Sequence, residues 1–304
     1  MYDVVILTDH RYINPRNTNQ YIQNVLEEDR LVLEALKKEG LSVIRKAWDD
    51  VEFDWSSTKY ALFRTTWDCF ERFDEFLDWF KQTGNMTEFI NSYRLILWNI
   101  DKHYLRDLEN NGVNIPKTFY AEPKSSLSLK ETIEKARQKL KFNSDDLVLK
   151  PCVAGGARHT YKFHTSEWKK YDAIFQELTA NETMMLQEFQ KNIVDKGEIS
   201  MILFNGTFSH SVLKVAKSGD FRVQDDFGGS VHEHKASKEE IDFAKHVVAA
   251  SPEMPLYARV DIFRDNNGHL VLAELEIFEP ELWFRLHHKA ASILAKSIKQ
   301  NYFS

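Results

Sequence analysis

The chain has 304 residues, of which 43% are hydrophobic and 28% are charged, and its formal net charge is −6. These proportions are ordinary for a globular protein, and the length predicts two or three subdomains with a sizeable core. Because the balance is acidic and no run of Lys or Arg interrupts it, the composition argues against a nucleic-acid-binding surface.

The cysteine content and the apolar runs indicate the compartment. Cys69 and Cys152 are the only cysteines, and their spacing matches neither a metal motif nor a disulfide framework, which is typical of a reducing compartment. No apolar run approaches the roughly 18 residues of a membrane helix, and the run Val4 to Leu7 is too short for a signal peptide. We expect a cytoplasmic protein without a membrane partner, and a homo-oligomer is compatible with the sequence.

The first elements predict a parallel sheet. Asp3 to Asp9 reads as a buried strand, and a helix with an apolar stripe follows from about Gln20 to Glu39, where Gly40 ends it. Leu41 to Ala47 then reads as a second strand. A strand, a helix and a strand in this order indicate a right-handed parallel crossover.

A third strand, Tyr60 to Thr65, is followed by polar residues. Ligands of open parallel sheets bind beyond the carboxyl ends of the strands, so Arg64, Trp67 and Asp68 are predicted to reach a substrate. The alternative is that these residues only pack the loop.

The middle of the chain contains a lysine and a glycine-rich loop. A short helix is expected to open at Trp98 to Lys102, and a later strand from Asp146 delivers Lys150 and continues into Gly155-Gly156. Such a loop lets backbone N–H groups close over an anion, and the lysine supplies a charge for phosphate. The spacing is not that of a P-loop, in which the lysine follows the glycines.

The next segments predict hairpins and helices. Thr183 to Gln190 reads as a strand that ends in groups able to contact an adenine edge, and two strands pair across Asn205-Gly206. Lys214 leads into a second glycine-rich stretch from Gly219 to Gly229. A helix from Ser237 to about Ala250 and a last helix from about Leu282 to Lys299 complete the chain.

The stretch Tyr257 to Pro280 predicts a second hairpin, with Asn267-Gly268 as a two-residue turn. Counting back from that turn places Asp261 opposite Glu274 and Arg259 opposite Glu276, on one face. The other face would carry a set of apolar residues that includes Val271, Ala273, Leu275 and Ile277. Like charges opposite each other destabilise a sheet, so the carboxylates suggest a Mg²⁺-nucleotide site; a solvated acidic face is the alternative.

The motifs RTTWD, VLKPxxxGG, HSVLK, GDFRVQxxxGG, YARVD and ELEIFEPELWF occur in this order along nearly the whole chain. Together they resemble the ATP-grasp superfamily, and within it the glutathione-synthetase-like branch that contains the O-ureido-serine cyclo-ligase of the cycloserine pathway. The resemblance implies an α/β fold, α+β overall, in which a parallel-sheet domain precedes two α+β subdomains that clasp ATP. The expected divisions are a substrate domain at 1–100, a central subdomain with the phosphate lid at 101–190, and a subdomain with the metal site at 191–304.

The resemblance also implies roles for individual positions. The ATP-binding candidates are Lys102, Lys150, Gly155, Gly156, the hinge residues Gln187, Glu188, Phe189 and Gln190, and Glu198, which would hold the ribose hydroxyls. The metal ligands would be Asp261, Glu274 and Glu276, with Mg²⁺ or its substitute Mn²⁺ bound, and the catalytic candidates are Arg259, Arg222 and Lys214. The family's usual metal motif is Glu-x-Asn, so Glu276 replaces an amide here and Glu279 is a rival ligand.

The implied reaction is ATP-dependent C–N bond formation on small carboxylate and amine substrates. ATP would phosphorylate the carboxylate of an amino-acid-like substrate, and a nitrogen would attack the acyl phosphate, either within one molecule or between two. A phosphotransferase or a nucleotide-binding regulator would use the same ATP site without forming a C–N bond, and a degenerate binding module is the third interpretation.

Overall fold

The computed structural model describes residues 1–217 and 228–303. The strands, in chain order, are β1 (Tyr2–Thr8), β2 (Val43–Ala47), β3 (Thr58–Thr65), β4 (Glu88–Ile90), β5 (Thr118–Ala121), β6 (Asp146–Pro151), β7 (Tyr161–His164), β8 (Met184–Glu188), β9 (Glu198–Phe204), β10 (Thr207–Val215), β11 (Ser230–Glu233), β12 (Tyr257–Arg264) and β13 (Leu270–Glu276). The α-helices are α1 (Gln20–Lys38), α2 (Phe73–Thr83), α3 (Tyr93–Ile100), α4 (Tyr104–Asn110), α5 (Leu129–Leu140), α6 (Trp168–Thr179), α7 (Lys191–Lys196), α8 (Lys238–Ala249) and α9 (Lys289–Tyr302). The mixture of helix with parallel and antiparallel sheet confirms the predicted fold class.

The N-terminal sheet has the strand order β2-β1-β3-β4, and all of its pairs are parallel. The predicted β-α-β unit is therefore confirmed. The Asn19 side chain accepts a hydrogen bond from the backbone N–H of Ile22 and caps the start of α1. The helix buries Val25, Val32 and Leu36, so its apolar stripe faces the core.

The middle sheet has the order β5-β8-β6-β7 and is antiparallel. Ser128 and Glu131 form a capping box at the start of α5. The pairing of β6 with β8 sets Val148 opposite Gln187 and Lys150 opposite Met185. The predicted phosphate lysine and the predicted adenine hinge therefore lie on adjacent strands.

The C-terminal sheet has the order β11-β10-β9-β12-β13 and is antiparallel. Its first Asn-Gly sequence forms the predicted two-residue turn, since Phe204 pairs with Thr207. Asn205 and Gly206 have φ angles of +47° and +72°. Two consecutive left-handed residues match the twist of the flanking strands.

The second Asn-Gly sequence does not form the predicted two-residue turn. Asp265 bonds to His269 across a three-residue loop, 266–268, in which Gly268 alone has a positive φ, +87°. One extra residue in β13, Ala273, then forms a β-bulge, which restores the predicted opposition of Asp261 and Glu274. The loop and the bulge each shift the pairing by one residue, and the two shifts cancel.

The bulge also reverses which side chains of β13 face the core. Leu270 and Leu272, rather than the predicted Val271 and Ala273, pack with Leu275 and Ile277 in one apolar cluster. A shift of one residue turns every side chain of a strand to the other face. Only the part of the strand beyond the bulge follows the predicted alternation.

Two predicted helices have different bounds. The last helix starts at Lys289 rather than near Leu282, because Glu28 on α1 accepts the backbone N–H groups of Phe284 and Arg285 and holds that segment in an irregular path. The expected helix from Trp98 is broken between α3 and α4, where Lys102 donates its N–H to the Cys152 carbonyl. No helix among the described residues is long and apolar enough to cross a membrane.

Candidate active site

A cavity of about 710 Å³ lies between the N-terminal domain and the middle and C-terminal sheets. Residues of the middle and C-terminal sheets line it together with helices and connecting segments of the N-terminal domain, so the fold gathers groups that are far apart in sequence. The predicted site residues on its wall are Trp67, Lys102, Lys150, Gly155, Gly156, Gln187, Glu188, Phe189, Gln190, Glu198, Lys214, Arg259, Asp261, Glu274 and Glu276. Arg222 lies outside the described residues.

Asp261 is the most fully paired carboxylate of the cavity. It is 2% exposed, and Arg259 Nη2 and Lys214 Nζ each lie 2.9 Å from its Oδ2 atom. Ser200 donates a further hydrogen bond to Oδ1. Burial alone would raise the pKa of Asp261, but the charges of Arg259 and Lys214 outweigh it and hold the pKa at about 2.

Arg259 also pairs with Glu276 on the neighbouring strand. Burial raises the pKa of Glu276 to about 7, because the attraction of Arg259 only partly offsets desolvation and the repulsion of Glu274 and Asp261. One arginine therefore serves two carboxylates, and a further cation near Glu276 would be favourable.

The two predicted phosphate lysines have different surroundings. Lys102 Nζ lies 3.0 Å from Glu274 Oε1 and donates a hydrogen bond of 2.8 Å to the Ala154 carbonyl. Lys150 makes no ion pair with any residue in 1–217 or 228–303, and burial lowers the pKa of its ammonium group despite the charge of Glu274. A buried lysine without a close counter-charge is suited to bind an anion.

Asp261, Glu274 and Glu276 present carboxylate oxygens into one cavity. Such oxygens are the ligands that Mg²⁺ prefers, and it commonly completes its shell with substrate phosphates. The chemistry of this donor set therefore fits a hard divalent cation. Glu279 lines the same cavity, and burial with the charge of Glu276 raises its pKa well above the usual range.

The predicted adenine hinge is held by its own side chains. Gln187 donates to Thr118 Oγ1 at 2.7 Å, and the Glu188 carboxylate accepts the backbone N–H of Ser144 at 2.7 Å. Lys162 places its ammonium group 3.6 Å from the centre of the Phe189 ring. The Glu188 side chain is thus used to fix the strand end. The hinge backbone is bonded as well, since the Phe189 N–H donates to the Asp146 carbonyl and the Phe189 carbonyl accepts from Asn266 Nδ2.

Glu198 and Lys214 form one pair across the β9–β10 hairpin. Lys214 Nζ lies 2.5 Å from Glu198 Oε1, and it also bonds to Asp261. Burial raises the pKa of Glu198, and the charge of Lys214 opposes this effect. Lys214 therefore links the predicted ribose carboxylate to the predicted metal ligand.

The glycine-rich loop contacts the N-terminal domain. A Cβ atom added to Gly155 would lie 2.5 Å from a ring carbon of Phe70. Gly156 has a φ of +56°, a conformation that glycine adopts readily. Arg158, just beyond the glycines, forms a bidentate pair with Glu182 at 2.9 and 3.0 Å, which anchors the end of the loop.

The three predicted substrate residues separate in the structure. Trp67 lines the cavity and donates its Nε1–H to the Glu279 carbonyl at 3.1 Å. Arg64 is 1% exposed and donates to the Pro280 carbonyl at 3.0 Å, while Asp68 accepts the Trp48 Nε1–H at 2.8 Å. Arg64 and Asp68 lie in the interior rather than on the cavity wall, so they act on a ligand only through the groups that they hold.

Sequence reasoning missed Arg11, Tyr12 and Tyr21, which line the same cavity. Arg11 and Tyr12 follow the carboxyl end of β1. Ligands of open parallel sheets bind beyond the carboxyl ends of the strands, and this rule, which selected residues after β3, would have selected these two as well. Tyr21 belongs to the first turn of α1. Its position on the wall depends on how that helix packs, for which the sequence has no local signal.

Two family models match the chain. One describes the N-terminal domain of the D-cycloserine synthetase DcsG and matches residues 4–91. The other describes the ATP-grasp domain of prokaryotic glutathione synthetase and matches residues 120–277, just over half of the chain.

Individual relatives agree with these matches. The cycloserine biosynthesis protein DcsG of Streptomyces lavendulae is 27% identical over 285 residues, which cover 88% of this chain and 92% of the relative. The crystal structure of D-cycloserine synthetase DcsG superposes with a TM-score of 0.85 at 23% identity and covers 98% of both chains. The D-alanine–D-alanine ligase of Bacillus anthracis has a TM-score of 0.62 at 12% identity, covering 99% of this chain and 97% of that one.

Proposed function

Since the chain belongs to the family of prokaryotic glutathione synthetase ATP-grasp domains, and is an ATP-dependent ligase, we propose that it joins a carboxylate to a nitrogen through an acyl phosphate. The substrate is a small amino-acid-like molecule, and the bond closes within that molecule. The matches of both halves of the chain to D-cycloserine synthetases support this substrate class.

The observation that carries the proposal is the convergence of cations and carboxylates in one cavity. Lys150 approaches from the middle sheet, Lys102 from the turn between α3 and α4, and Arg259 with its carboxylate partners from the C-terminal sheet. Transfer of a phosphoryl group requires positioning and neutralisation of negative charge more than covalent help from the protein. The cavity offers both kinds of group to a triphosphate.

Each group then has a role in the transfer. Lys102 and Lys150 would bind phosphate oxygens, and Arg259 would stabilise the charge that develops on the transferring group. The backbone N–H groups of Gly155 and Gly156 would cover the phosphates and exclude water. Asp261, Glu274 and Glu276 would hold Mg²⁺, which when bound neutralises phosphate charge and orients the leaving group.

The chemistry balances in two steps. A substrate carboxylate oxygen bonds to the γ-phosphorus of ATP as the bond to the β-phosphate oxygen breaks, and ADP leaves. The substrate nitrogen then attacks the acyl carbon, the C–O bond to phosphate breaks, and the nitrogen gives up its extra proton. Phosphate is a far better leaving group than oxide, which is why ATP is consumed.

Formation of ADP and phosphate tests this proposal. A panel of small amino acids that carry a second nitrogen would be incubated with the full chain, ATP and Mg²⁺, with phosphate release and product mass as readouts. A ligase that closes a ring produces ADP, phosphate and a product lighter than its substrate by one water. A stable phosphorylated product would identify a phosphotransferase instead, and ADP formation without any carboxylate present would also contradict the proposal.

A further inference from the structure

Glu279 is a cavity carboxylate that forms no ion pair with a described residue, although the charges of Arg259 and Lys102 act on it from a distance. It is 8% exposed, lines the cavity, and makes no ion pair with any residue in 1–217 or 228–303. The other buried carboxylates of the cavity are paired, Asp261 and Glu276 with Arg259, Glu274 with Lys102, and Glu198 with Lys214. Because a buried unpaired carboxylate is costly, this position favours a ligand that brings a positive charge.

The backbone around Glu279 is fixed while its side chain stays available. Trp67 donates to the Glu279 carbonyl at 3.1 Å, and the buried Arg64 donates to the Pro280 carbonyl at 3.0 Å. Both donors come from the carboxyl-end edge of the N-terminal sheet. Two hydrogen bonds to consecutive carbonyls orient the peptide, so the carboxyl group is presented to the cavity in a defined position.

Aromatic rings form the wall at this end of the cavity. Tyr12, Tyr21 and Trp67 all line it, and the Trp67 ring centre lies 6.1 Å from that of Tyr12 and 6.2 Å from that of Tyr21. Ring faces attract organic cations such as ammonium groups, whereas Mg²⁺ requires a shell of oxygen ligands. An aromatic wall beside one carboxylate therefore suits an ammonium group better than a second metal ion.

The two ends of the cavity have opposite preferences. Lys102, Lys150 and Arg259 make the phosphate end suitable for anions, whereas Glu279 makes the aromatic end suitable for a cation. Arg11 also lines the aromatic end, but its guanidinium group is already paired with Asp9. An amino acid carries both charges on neighbouring atoms. It can place its carboxylate toward the phosphate end and its ammonium group toward Glu279.

We infer that Glu279, Tyr12, Tyr21 and Trp67 form a subsite for the primary ammonium group of the amino-acid substrate. The subsite selects substrates that keep a free amine and rejects analogues in which a hydroxyl replaces it. The position of the substrate carboxylate rests on the proposed function. The position of the substrate ammonium group rests instead on Glu279 and the aromatic rings.

Binding without turnover tests the subsite. Both enantiomers of serine and of glycerate, which differ from each other only by amine or hydroxyl, would be titrated into the full chain with Mg²⁺ and the non-hydrolysable nucleotide AMPPNP. We expect one serine enantiomer to bind at least about tenfold more tightly than its glycerate counterpart, as for a charge-assisted contact. Glu279→Gln should abolish that preference. Equal binding of serine and glycerate to the wild type, or no binding of either, would overturn the inference.

Control variants separate this contact from general effects. Glu71→Gln removes an acid that is exposed at the cavity mouth, and serine binding should not change. Glu279→Gln should melt near the wild-type temperature, because burial already favours the neutral form of the free Glu279 side chain and the amide keeps its shape. Tyr21→Leu serves as a second variant and should weaken serine binding about threefold through loss of a ring face. An equal loss in Glu71→Gln would overturn the inference.

The affinity for nucleotide distinguishes the remaining outcomes. Glu279→Gln should bind AMPPNP with an unchanged requirement for Mg²⁺; a raised requirement would identify Glu279 as a metal ligand and overturn the subsite. A wild-type protein that binds serine selectively yet forms no ADP with any carboxylate would refute the proposed function while leaving the subsite intact. A protein that turns over amino and hydroxy acids alike would support the proposed function and overturn the ammonium subsite.

Discussion

The two ends of the cavity differ in how their carboxylates are paired. The phosphate end lies around Asp261, and the aromatic end lies around Glu279. At the phosphate end each carboxylate lies beside a lysine or arginine, and Asp261 has two cations at 2.9 Å. At the aromatic end the protein supplies ring faces and a carboxylate without an ion pair among the described residues, because the cation on that wall, Arg11, is paired with Asp9. Closely paired charges can be organised before a ligand arrives, whereas an unpaired charge is completed by the ligand.

The largest effect is expected from Asp261→Asn, which removes a charge at the phosphate end and keeps the shape. Arg259 and Lys214 would lose their shared partner, and the Mg²⁺ site would lose a ligand, so turnover should fall at least about a thousandfold. ADP formation in a single-turnover assay measures this. Ser200→Ala is the control, because it removes only one hydrogen bond to the same carboxylate. Unchanged turnover in Asp261→Asn would contradict the role of the paired charges at the phosphate end.

Acidification should reduce the stability of the fold through His210 before it affects Asp261 at the phosphate end. His210 is buried, and its Nε2–H donates to the Leu282 carbonyl at 2.9 Å, on the segment that follows Glu279. Burial lowers the pKa of His210 to about 4. Since the unfolded chain binds this proton near pH 6.5, the free energy of unfolding should fall as the pH drops from about 6.5 to 4, by at most about 3 kcal/mol.

Denaturant melts across this pH range, compared between the wild type and His210→Gln, isolate that contribution. The variant should lose the extra slope between pH 6.5 and 4. Asp261 has a depressed pKa of about 2, so its contribution to stability is lost only as the pH falls from 3.8 toward 2. Equal slopes in the wild type and the variant would contradict the assignment of His210.

Arg64→Met should affect the aromatic end alone. The change keeps an apolar stem over Phe284 but removes the donor to the Pro280 carbonyl. Glu279 would then be less well positioned, so the KM for the amino-acid substrate should rise about tenfold while kcat changes little. Steady-state kinetics with ATP and with amino acid varied separately measure this, and an equal rise in the KM for ATP would show that the two ends are not independent.

Gly155→Ala should have the smallest effect, at the boundary between the two ends. The new methyl group would meet the Phe70 ring, whose carbon lies 2.5 Å from the ideal Cβ position. The loop or the ring must shift, and we expect the KM for ATP to rise about fivefold. A Gly155→Ala, Phe70→Ala double variant should recover part of that loss; no recovery would mean that the clash lies elsewhere.

The two Asn-Gly hairpins show how far local sequence signals extend. The turn at Asn205-Gly206 forms as predicted, with both residues at positive φ. The turn at Asn267-Gly268 uses three residues, and the opposition of Asp261 and Glu274 survives only because Ala273 forms a bulge. The predicted opposition of Asp261 and Glu274 was therefore correct, but the two-residue turn from which it was derived was wrong. A bulge depends on packing against neighbouring strands and loops, which the hairpin sequence does not contain.

The sequence by itself determined the fold class, the parallel N-terminal sheet, the turn at Asn205-Gly206 and most of the charged residues that line the cavity. These follow from hydrophobic periodicity, turn residues and motif order, all of which act over short stretches of chain. The roles of the individual site residues stay predictions.

Only the tertiary structure decided which charges are paired. The burial of Arg64, the irregular path of 281–288 and the lack of an ion pair between Glu279 and the described residues arise where α1 and the N-terminal sheet meet the segment after β13. Those contacts join residues more than 200 positions apart. Pairing in a protein interior depends on distances of a few ångströms between such residues, and no local pattern in the chain encodes them.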